Sequence, residues 1–403
     1  MPLTSALDGI RVLDLTRLLP GPFATLVLAD LGADVMKIEQ PGVGDYLRMV
    51  PPLVDGTGAR FRAVNRGKRS LALDLSHPEG RAVALRLAAR ADVVVEGFRP
   101  GVMERLGLGF DSLQAARKDI LLCSISGYGQ DGPFRERAGH DINYLALSGL
   151  LAEIPADSSG QHPAPLPVQV ADLVGGGLYA VVAILAAIEQ RRRDGAPRHL
   201  DISMTEGVLA LMASEMAELL AFGATSRPAA GDGLLSGGHA TYGVYRTADD
   251  RFLSVGSLEP KFAGTLAAVL GFEARADEML AGPERQAELR SLLSERIASR
   301  PLDAWKTAFA DVDACVEPVL SLEELVSHPQ HVSRGVFRHD RDGALSMDGP
   351  VHTPCTSSTE DRRSPKLGEH TVVLLEEAGY SDAEVESLLR SGVAQRDELS
   401  GED

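Results

Sequence analysis

The sequence GIRVLDLT at residues 9–16 and the sequence DVMKIE at residues 34–39 decide the predicted fold. Both runs are short and rich in Val, Ile and Leu, which is typical of β-strands. Residues 23–31 between them form an apolar segment that ends at Gly32, which predicts a short helix. Further strands of the same kind are predicted at residues 70–75, 92–95, 120–126 and 199–204. This alternation predicts an α/β fold with a mostly parallel, Rossmann-like sheet that is covered on both faces.

The carboxyl ends of the strands form the predicted ligand edge, because ligands of parallel sheets collect there. Three strands leave the sheet through TRLLPG at residues 16–21, DLS at residues 74–76 and GFRP at residues 97–100. This arrangement places Arg99 and the nearby Arg105 at the ligand edge.

A basic cluster, RFRAVNRGKR at residues 60–69, directly precedes the second of these strands and contains no acid. We expect the cluster, including Lys68 and Arg69, on the same side as the ligand edge. Guanidinium groups bind phosphate oxygens through paired hydrogen bonds, so one interpretation is a phosphate clamp. The alternative is a solvated basic loop that balances acidic neighbours. The glycine-rich fingerprints of dinucleotide-binding and P-loop proteins are absent from the sequence, which disfavours NAD and ATP hydrolysis.

Composition narrows the class of protein further. The net charge of −17 over 403 residues argues against nucleic acid or an anionic membrane surface as a partner. Three widely spaced cysteines, Cys123, Cys315 and Cys355, suggest a reducing cytoplasm. We expect no signal peptide, and the longest uncharged run, residues 173–188, looks too short and too glycine-rich to span a bilayer. The prediction is a soluble cytoplasmic protein.

Residues 138–177 carry the most informative pair of polar side chains. His140 stands directly before one apolar run, and Asp172 stands directly before the uncharged run that contains Gly175–Gly177. The second pattern predicts a buried helix with Asp172 as its N-cap, whose glycines let a ligand approach the backbone closely. Together the two side chains are consistent with an acid/base pair. As an alternative, each side chain could simply cap a helix.

The pattern changes after residue 205. Residues 223–240 are rich in Gly, Ala and Ser and form a candidate linker, and residues 241–258 predict a β-hairpin. Helical segments follow near residues 261–270, 284–299 and 302–311. We therefore predict a large domain that starts with residues 1–222, a smaller α+β domain at residues 223–330, and a return of residues 331–403 to the large domain.

Other catalytic schemes lack their sequence signals. The chain has neither an HExxH motif nor a clustered His/Cys set for a metal, and it has no GxSxG motif for a serine hydrolase. The remaining candidates are His140, Asp172 and Glu259. Glu259 precedes a proline and could equally be an ordinary residue at the end of a strand.

Several long segments resemble those of the α-methylacyl-CoA racemases, which belong to the family III CoA-transferase (CaiB/BaiF) superfamily. They are EGFRPGVMERLGLG at residues 96–109, GHDINYLALSG at 139–149, VADLVGGG at 170–177, YRTADDRFLSVGSLEPKF at 245–262 and DACVEPVL at 313–320. The resemblance covers nearly the whole chain. One departure is LLSGGHATY at residues 234–242, which corresponds to the glycine-rich loop of the transferases and contains Ser236 and His239.

The resemblance implies an interlocked homodimer in which CoA lies on the large domain and the partner's small domain completes the acyl site. It implies that His140 and Asp172 are the catalytic residues of a racemase, that Asp172 carries the acyl group in a transferase, and that Glu259 supports the histidine. It also implies that CoA contacts the strand exits, at Leu73, Asp74, Leu75, Gly97, Phe98, Arg99 and Arg105. To these predicted CoA contacts we add Lys68 and Arg69 from the basic cluster, and Gly139 and Tyr144, which flank His140 in the segment GHDINY, here called the histidine loop.

Three functions follow as hypotheses. A racemase of 2-methyl-branched acyl-CoA thioesters needs two bases on opposite faces of the α-carbon and neither metal nor cofactor, with CoA as part of the substrate. A CoA-transferase needs only the carboxylate, which attacks the thioester. A CoA-binding protein without turnover needs neither residue. Because only the first scheme uses the histidine, the presence of His140 favours the racemase.

Overall fold

The computed structural model describes residues 5–155, 163–223, 228–339, 345–347, 349 and 363–397. The chain forms two compact units. The first consists of Met1–Leu150, Pro165–Ala213 and Gly335–Asp403, and the second of Leu151–Ala164 and Ser214–Arg334. The predicted boundaries differ from this division in three segments, because residues 151–164, 214–222 and 331–334 group with the second unit. Cys355 and part of the candidate linker, residues 224–227, lie outside the described residues.

The first unit alternates strands and helices along most of its length. Its strands are β1 (Arg11–Asp14), β2 (Asp34–Glu39), β3 (Leu53–Val54), β4 (Thr57–Gly58), β5 (Arg69–Leu73), β6 (Val93–Glu96), β7 (Leu121–Ser126), β8 (Arg198–Ser203), and, near the C-terminus, β12 (Phe337–His339), β13 (Leu345–Met347) and β14 (Ala394–Gln395). Its helices are α1 (Pro20–Asp30), α2 (Ala59–Asn65), α3 (Pro78–Ala88), α4 (Val102–Arg105), α5 (Phe110–Ala116), α6 (Asp141–Leu147), α8 (Tyr179–Asp194), α9 (Met204–Leu211), α16 (Thr371–Glu377) and α17 (Asp382–Arg390), with α7 (Leu150–Glu153) and α10 (Ala213–Phe222) where the chain passes between units. A 3-10 helix, Tyr46–Met49, and a π-helix, Ala171–Leu178, complete the unit.

Within the described residues, the central sheet has the order β14-β5-β2-β1-β6-β7-β8. All neighbouring strands are parallel except the short β14, which pairs antiparallel with β5. Val93, Val94 and Val95 of β6 are completely buried, as expected for a strand covered on both faces. The predicted α/β class with a mostly parallel sheet is therefore confirmed.

The long helical segment that contains Asp172 differs from its prediction. Helical backbone already begins at Val170, so Asp172 is not an N-cap but the second residue of the π-helix Ala171–Leu178. The segment Ala171–Asp194 is long and apolar enough to cross a membrane by length and composition alone, so the expected shortness is wrong, and half of its apolar window is buried in the fold. The helix is not buried on all sides, because Leu178 is 40% and Val182 is 62% exposed.

The second unit contains a three-stranded antiparallel sheet with helices packed on one face. Its strands are β9 (Tyr242–Arg246), β10 (Phe252–Gly256) and β11 (Val316–Pro318), in the order β11-β10-β9. Its helices are α11 (Pro260–Leu270), α12 (Pro283–Ile297), α13 (Leu302–Phe309), α14 (Leu322–Ser327) and α15 (Pro329–Ser333), with a π-helix, Leu234–Gly238, and a 3-10 helix, Glu273–Glu278. Trp305 lies fully buried in its core.

Candidate active site

The carboxyl ends of β1 and β6 lie beside each other, as their adjacency in the sheet requires. Arg17, in the exit of β1, lies with its guanidinium carbon 5.6 Å from the ring centre of Phe98 in the exit of β6. A Cβ atom on Gly97 would lie 3.9 Å from the side chain of Thr16. Two of the three predicted ligand-binding exits therefore contact each other.

The third exit follows β5, on the same edge because β5, β2, β1 and β6 are mutually parallel. Leu73 ends the strand and is buried, and Leu75 packs partly against the core. The Asp74 carboxylate accepts hydrogen bonds from the backbone N–H and the hydroxyl of Ser76, and the hydroxyl bond lowers the pKa of Asp74. These bonds hold the exit in a tight turn.

Arg99 and Arg105 are exposed, and neither has a carboxylate partner among the described residues. A guanidinium nitrogen of Arg105 lies 3.3 Å, and one of Arg135 lies 3.8 Å, from the position that a Cβ on Gly101 would occupy. Arg105 and Arg135, neither of which forms an ion pair with a carboxylate in the part of the chain that the structure describes, therefore lie near each other next to the β6 exit. Arg135 was not predicted, although its basic residue type after the exit of β7 was a signal available in the sequence.

The prediction that Lys68 and Arg69 bind phosphate is wrong. The Lys68 ammonium group is completely buried, where it donates to Asp14, Asn65 and the carbonyl oxygen of Pro22. Arg69 begins β5 and pairs with Asp34, the first residue of β2, and with Glu377. The first residues of parallel strands lie at the edge opposite to their exits. Residues that directly precede β5 therefore lie at the edge of the sheet that is opposite to the predicted ligand edge.

A hydrogen bond of Asp141, the neighbour of His140, joins the segments that carry His140 and Asp172, which are 32 positions apart in sequence. His140 occupies the N-cap position of α6 and is exposed, and its backbone N–H donates to Asn143. The next residue, Asp141, accepts a hydrogen bond from the backbone N–H of Asp172 at 3.0 Å. The start of α6 is thus joined to the start of the π-helix. Asp141 was missed by the sequence reasoning, because nothing local marks a carboxylate whose partner is distant in sequence.

Asp172 lies in surroundings that disfavour its charged form. Burial is the main reason that the pKa of Asp172 rises to about 7, and the neighbouring charge of Asp141 adds to the effect. Both protonation states of this carboxyl group are then present near neutral pH. A carboxyl group with this pKa can accept a proton in one direction and return it in the other.

The side chain of Tyr144 packs against Gly139, the residue that precedes His140. Its side chain is 6% exposed, and its hydroxyl donates to the carbonyl oxygen of Gly139 at 2.6 Å. A Cβ on Gly139 or on Gly127 would lie under 3 Å from the tyrosine ring, so both glycines are required for this packing. Burial raises the pKa of Tyr144 to about 12, with a further contribution from the charge of Asp172. This placement contradicts the predicted ligand contact of Tyr144 and makes it part of the packed wall behind Gly139.

The glycines after Asp172 serve helix packing rather than ligand approach, so that expectation is wrong. A Cβ on Gly175 would lie 2.5 Å from the carbonyl oxygen of Met204, at the start of α9. A Cβ on Gly177 would lie 2.8 Å from the ring of Phe23 in α1. The π-helix can approach both neighbouring helices only because these side chains are absent. The π-helical turn itself is a rare backbone form that is frequent at functional sites.

Glu259 lies in the second unit, at the N-cap position of α11, and it is exposed. Its charge is one of the groups that raise the pKa of the neighbouring Cys315 thiol, after burial. In the loop that departs from the racemases, the Ser236 hydroxyl accepts from the backbone N–H of Gly233. One ring nitrogen of His239, Nδ1, is buried without a hydrogen-bond partner.

Comparison with known proteins identifies the family of this chain. The model of CoA-transferase family III matches residues 7–371, and the chain belongs to this family. The resemblance described from the sequence is thereby confirmed.

Individual relatives carry two different activities in their names. The α-methylacyl-CoA racemase of Mus musculus is 38% identical and is covered over 98% of both chains. The succinyl-CoA:glutarate CoA-transferase of Mus musculus is 34% identical, over 97% of this chain and 91% of the relative. Among solved structures, a CaiB/BaiF family protein from Brucella suis superposes with a TM-score of 0.81 at 31% identity, over 93% of this chain and 99% of that chain. The chain is therefore an enzyme of the family III CoA-transferase superfamily.

Proposed function

We propose that the protein is a racemase or epimerase of 2-methyl-branched acyl-CoA thioesters. The observation that carries the proposal is the junction of the His140 loop and Asp172 through Asp141. Inversion at the α-carbon of a thioester requires removal of a proton from one face and delivery of a proton to the other. His140 and Asp172 are two groups that can each act as base in one direction and as acid in the other, and no cofactor enters the reaction.

The barrier to this reaction is the negative charge that develops on the thioester oxygen of the enolate, and hydrogen-bond donors must stabilise it. The backbone N–H of Asp172 already donates to Asp141. The backbone N–H of His140 likewise donates to Asn143. We therefore assign the oxyanion donor to the backbone N–H of Gly139. In this scheme Glu259 supports the histidine as the family resemblance implies, and the exits of β5 and β6 with Arg99 and Arg105 bind CoA.

The same proposal includes a homodimer in the cytoplasm. Support for the dimer comes from the exposed apolar side chains of Leu178 and Val182, which lie four residues apart on one face of the helical segment Ala171–Asp194. Sedimentation of the purified protein at micromolar concentration should give twice the mass of 42.8 kDa.

A CoA-transferase is the second candidate function, favoured by the relative named succinyl-CoA:glutarate CoA-transferase and by the presence of the Asp172 carboxyl group, which that reaction needs. In that reaction the carboxylate attacks the thioester carbonyl, releases CoA as thiolate and forms an acyl anhydride. The thiolate then attacks the aspartyl carbonyl of this anhydride and releases the free acid, so that CoA is held as an aspartyl thioester until the acceptor acid arrives.

One assay separates the two functions. A single enantiomer of a 2-methylacyl-CoA is incubated with the enzyme in heavy water, with and without a free carboxylic acid. Deuterium at C2 without the acid indicates a racemase, whereas CoA exchange that requires the acid indicates a transferase. His140→Ala should abolish inversion at C2, because Asp172 alone can exchange a proton on one face only, and undiminished inversion in this variant would exclude the two-base scheme. Binding of the thioester with neither reaction would leave a binding protein without turnover.

A further inference from the structure

Arg17 has no role in the scheme above, yet it lies at the ligand edge in a defined conformation. Its guanidinium carbon is 5.0 Å from the ring centre of Tyr46 and 5.6 Å from that of Phe98. One of its guanidinium nitrogens, Nη1, donates to the Tyr46 hydroxyl at 3.1 Å. Two aromatic rings therefore hold the side chain at the exit of β1, although it is exposed.

The positive charge of Arg17 is not neutralised within the protein. Among the described residues, no carboxylate lies within ion-pair distance of its guanidinium group. The more buried arginines of the first unit are paired with carboxylates, as for Arg48, Arg66, Arg69, Arg117 and Arg191. In a chain with a net charge of −17, an ordered arginine at the ligand edge without an acidic partner indicates an anionic ligand.

Hydrogen bonds to buried charged side chains hold the backbone on both sides of Arg17. The Thr16 carbonyl oxygen accepts from the Lys37 ammonium group at 2.8 Å, and the Leu18 backbone N–H donates to the Asp45 carboxylate at 3.2 Å. Lys37 and Asp45 form a fully buried ion pair at 3.1 Å. Leu18 has a φ of +65°, a left-handed conformation that a leucine adopts only when its surroundings impose it.

These contacts preorganise the loop, and a preorganised residue loses less conformational freedom when a ligand binds. We propose that Arg17 binds an anionic oxygen group of the CoA thioester, an inference that rests on the proposed use of CoA thioesters. The guanidinium fork suits phosphate and carboxylate oxygens equally. The anionic group is then either the diphosphate of CoA or a carboxylate on its acyl chain.

The test uses Arg17→Gln, which removes the charge, and Arg17→Lys, which keeps the charge but loses the planar fork. Arg86→Gln is the matched control, because Arg86 also lies over an aromatic ring, that of Tyr380 at 4.3 Å, but belongs to α3 rather than to a strand exit. Circular dichroism and thermal unfolding establish that each variant is folded. If Arg17→Gln does not fold, Arg17→Lys carries the comparison.

Dissociation constants are measured by calorimetry for free CoA, for pantetheine, and for a neutral and a dicarboxylic acyl-CoA of equal length. We expect Arg17→Gln to weaken CoA binding by roughly ten- to a hundredfold with pantetheine unaffected, if the diphosphate is the partner. A selective loss for the dicarboxylic thioester identifies the acyl carboxylate instead. Unchanged affinities for all four ligands, while the unaltered enzyme binds CoA, overturn the inference about Arg17. Failure of the unaltered enzyme to bind CoA at all overturns the proposed function, and this inference with it.

Discussion

Replacing Asp141 with asparagine should lower the pKa of Asp172 without changing the backbone around it. Asn keeps a side-chain oxygen that can accept the hydrogen bond now donated by the Asp172 N–H at 3.0 Å. It removes the negative charge that, after burial, raises the pKa of Asp172. Because burial is the larger cause and persists in the variant, the pKa should fall only part of the way from about 7 towards the ordinary value of 3.8.

The size of the change follows from the separation of the two carboxyl groups. With standard bond lengths, a carboxylate bonded to the backbone N–H of Asp172 lies roughly 6 Å from the Asp172 carboxyl carbon. Two charges at this distance repel by about 0.7 kcal/mol at the dielectric constant of water and by about 3 kcal/mol at an effective value of about 20. Since Asp141 is only partly buried, we expect an intermediate value of about 1.4 kcal/mol, or about one pKa unit.

The pH dependence of deuterium incorporation at C2 measures this shift. The acidic limb of kcat/KM, for the enantiomer whose proton Asp172 removes, should move to lower pH by about one unit in Asp141→Asn. Asp111→Asn is the control, since Asp111 lies likewise in the first turn of a helix, α5, and should leave the limb in place. An acidic limb that stays in place in Asp141→Asn, or that moves to higher pH, would refute the electrostatic reasoning.

Three further predictions concern stability, measured by urea unfolding. The folded-state pKa of Asp172, about 7, exceeds its ordinary value of 3.8, so the folded state binds more protons between these pH values and the free energy of unfolding falls as pH rises through this window. Asp172→Asn should therefore stabilise the protein at pH 8 by about 1–2 kcal/mol and have little effect at pH 4; equal effects at both pH values would contradict this. Lys68→Met leaves the buried carboxylate of Asp14 without its nearest cation and should destabilise by about 3–5 kcal/mol, whereas a neutral outcome would show that Lys37 alone suffices. Gly207→Ala places a Cβ about 2.2 Å from a backbone oxygen of the π-helix and should destabilise by at least about 2 kcal/mol, while Gly264→Ala, in open space within α11, should stabilise by about 0.5–1 kcal/mol.

The sequence alone determined the fold class, because short Val/Ile/Leu runs separated by helices can bury both faces of a sheet only when the strands are parallel and the helices lie outside. The strand exits also followed from the sequence. The rule that ligands collect at carboxyl ends depends only on chain direction, and it led to Gly97–Arg99 and Asp74–Leu75. The proposed pairing of His140 with Asp172 rests on residue types and motif resemblance, since both residues belong to long recognisable segments.

The tertiary structure alone decided what each charged or glycine residue contacts. Lys68 and Arg69 were predicted to bind phosphate because a run of basic residues does not show which carboxylates will neutralise it. Here the carboxylates are those of Asp14, Asp34 and Glu377, which are distant in sequence. Gly175–Gly177 could serve a ligand or a neighbouring helix, and only the positions of α1 and α9 separate these cases. Electrostatic and packing interactions depend on distance in space, so the environment of Asp172 and the ordered position of Arg17 became visible only when remote segments were brought together.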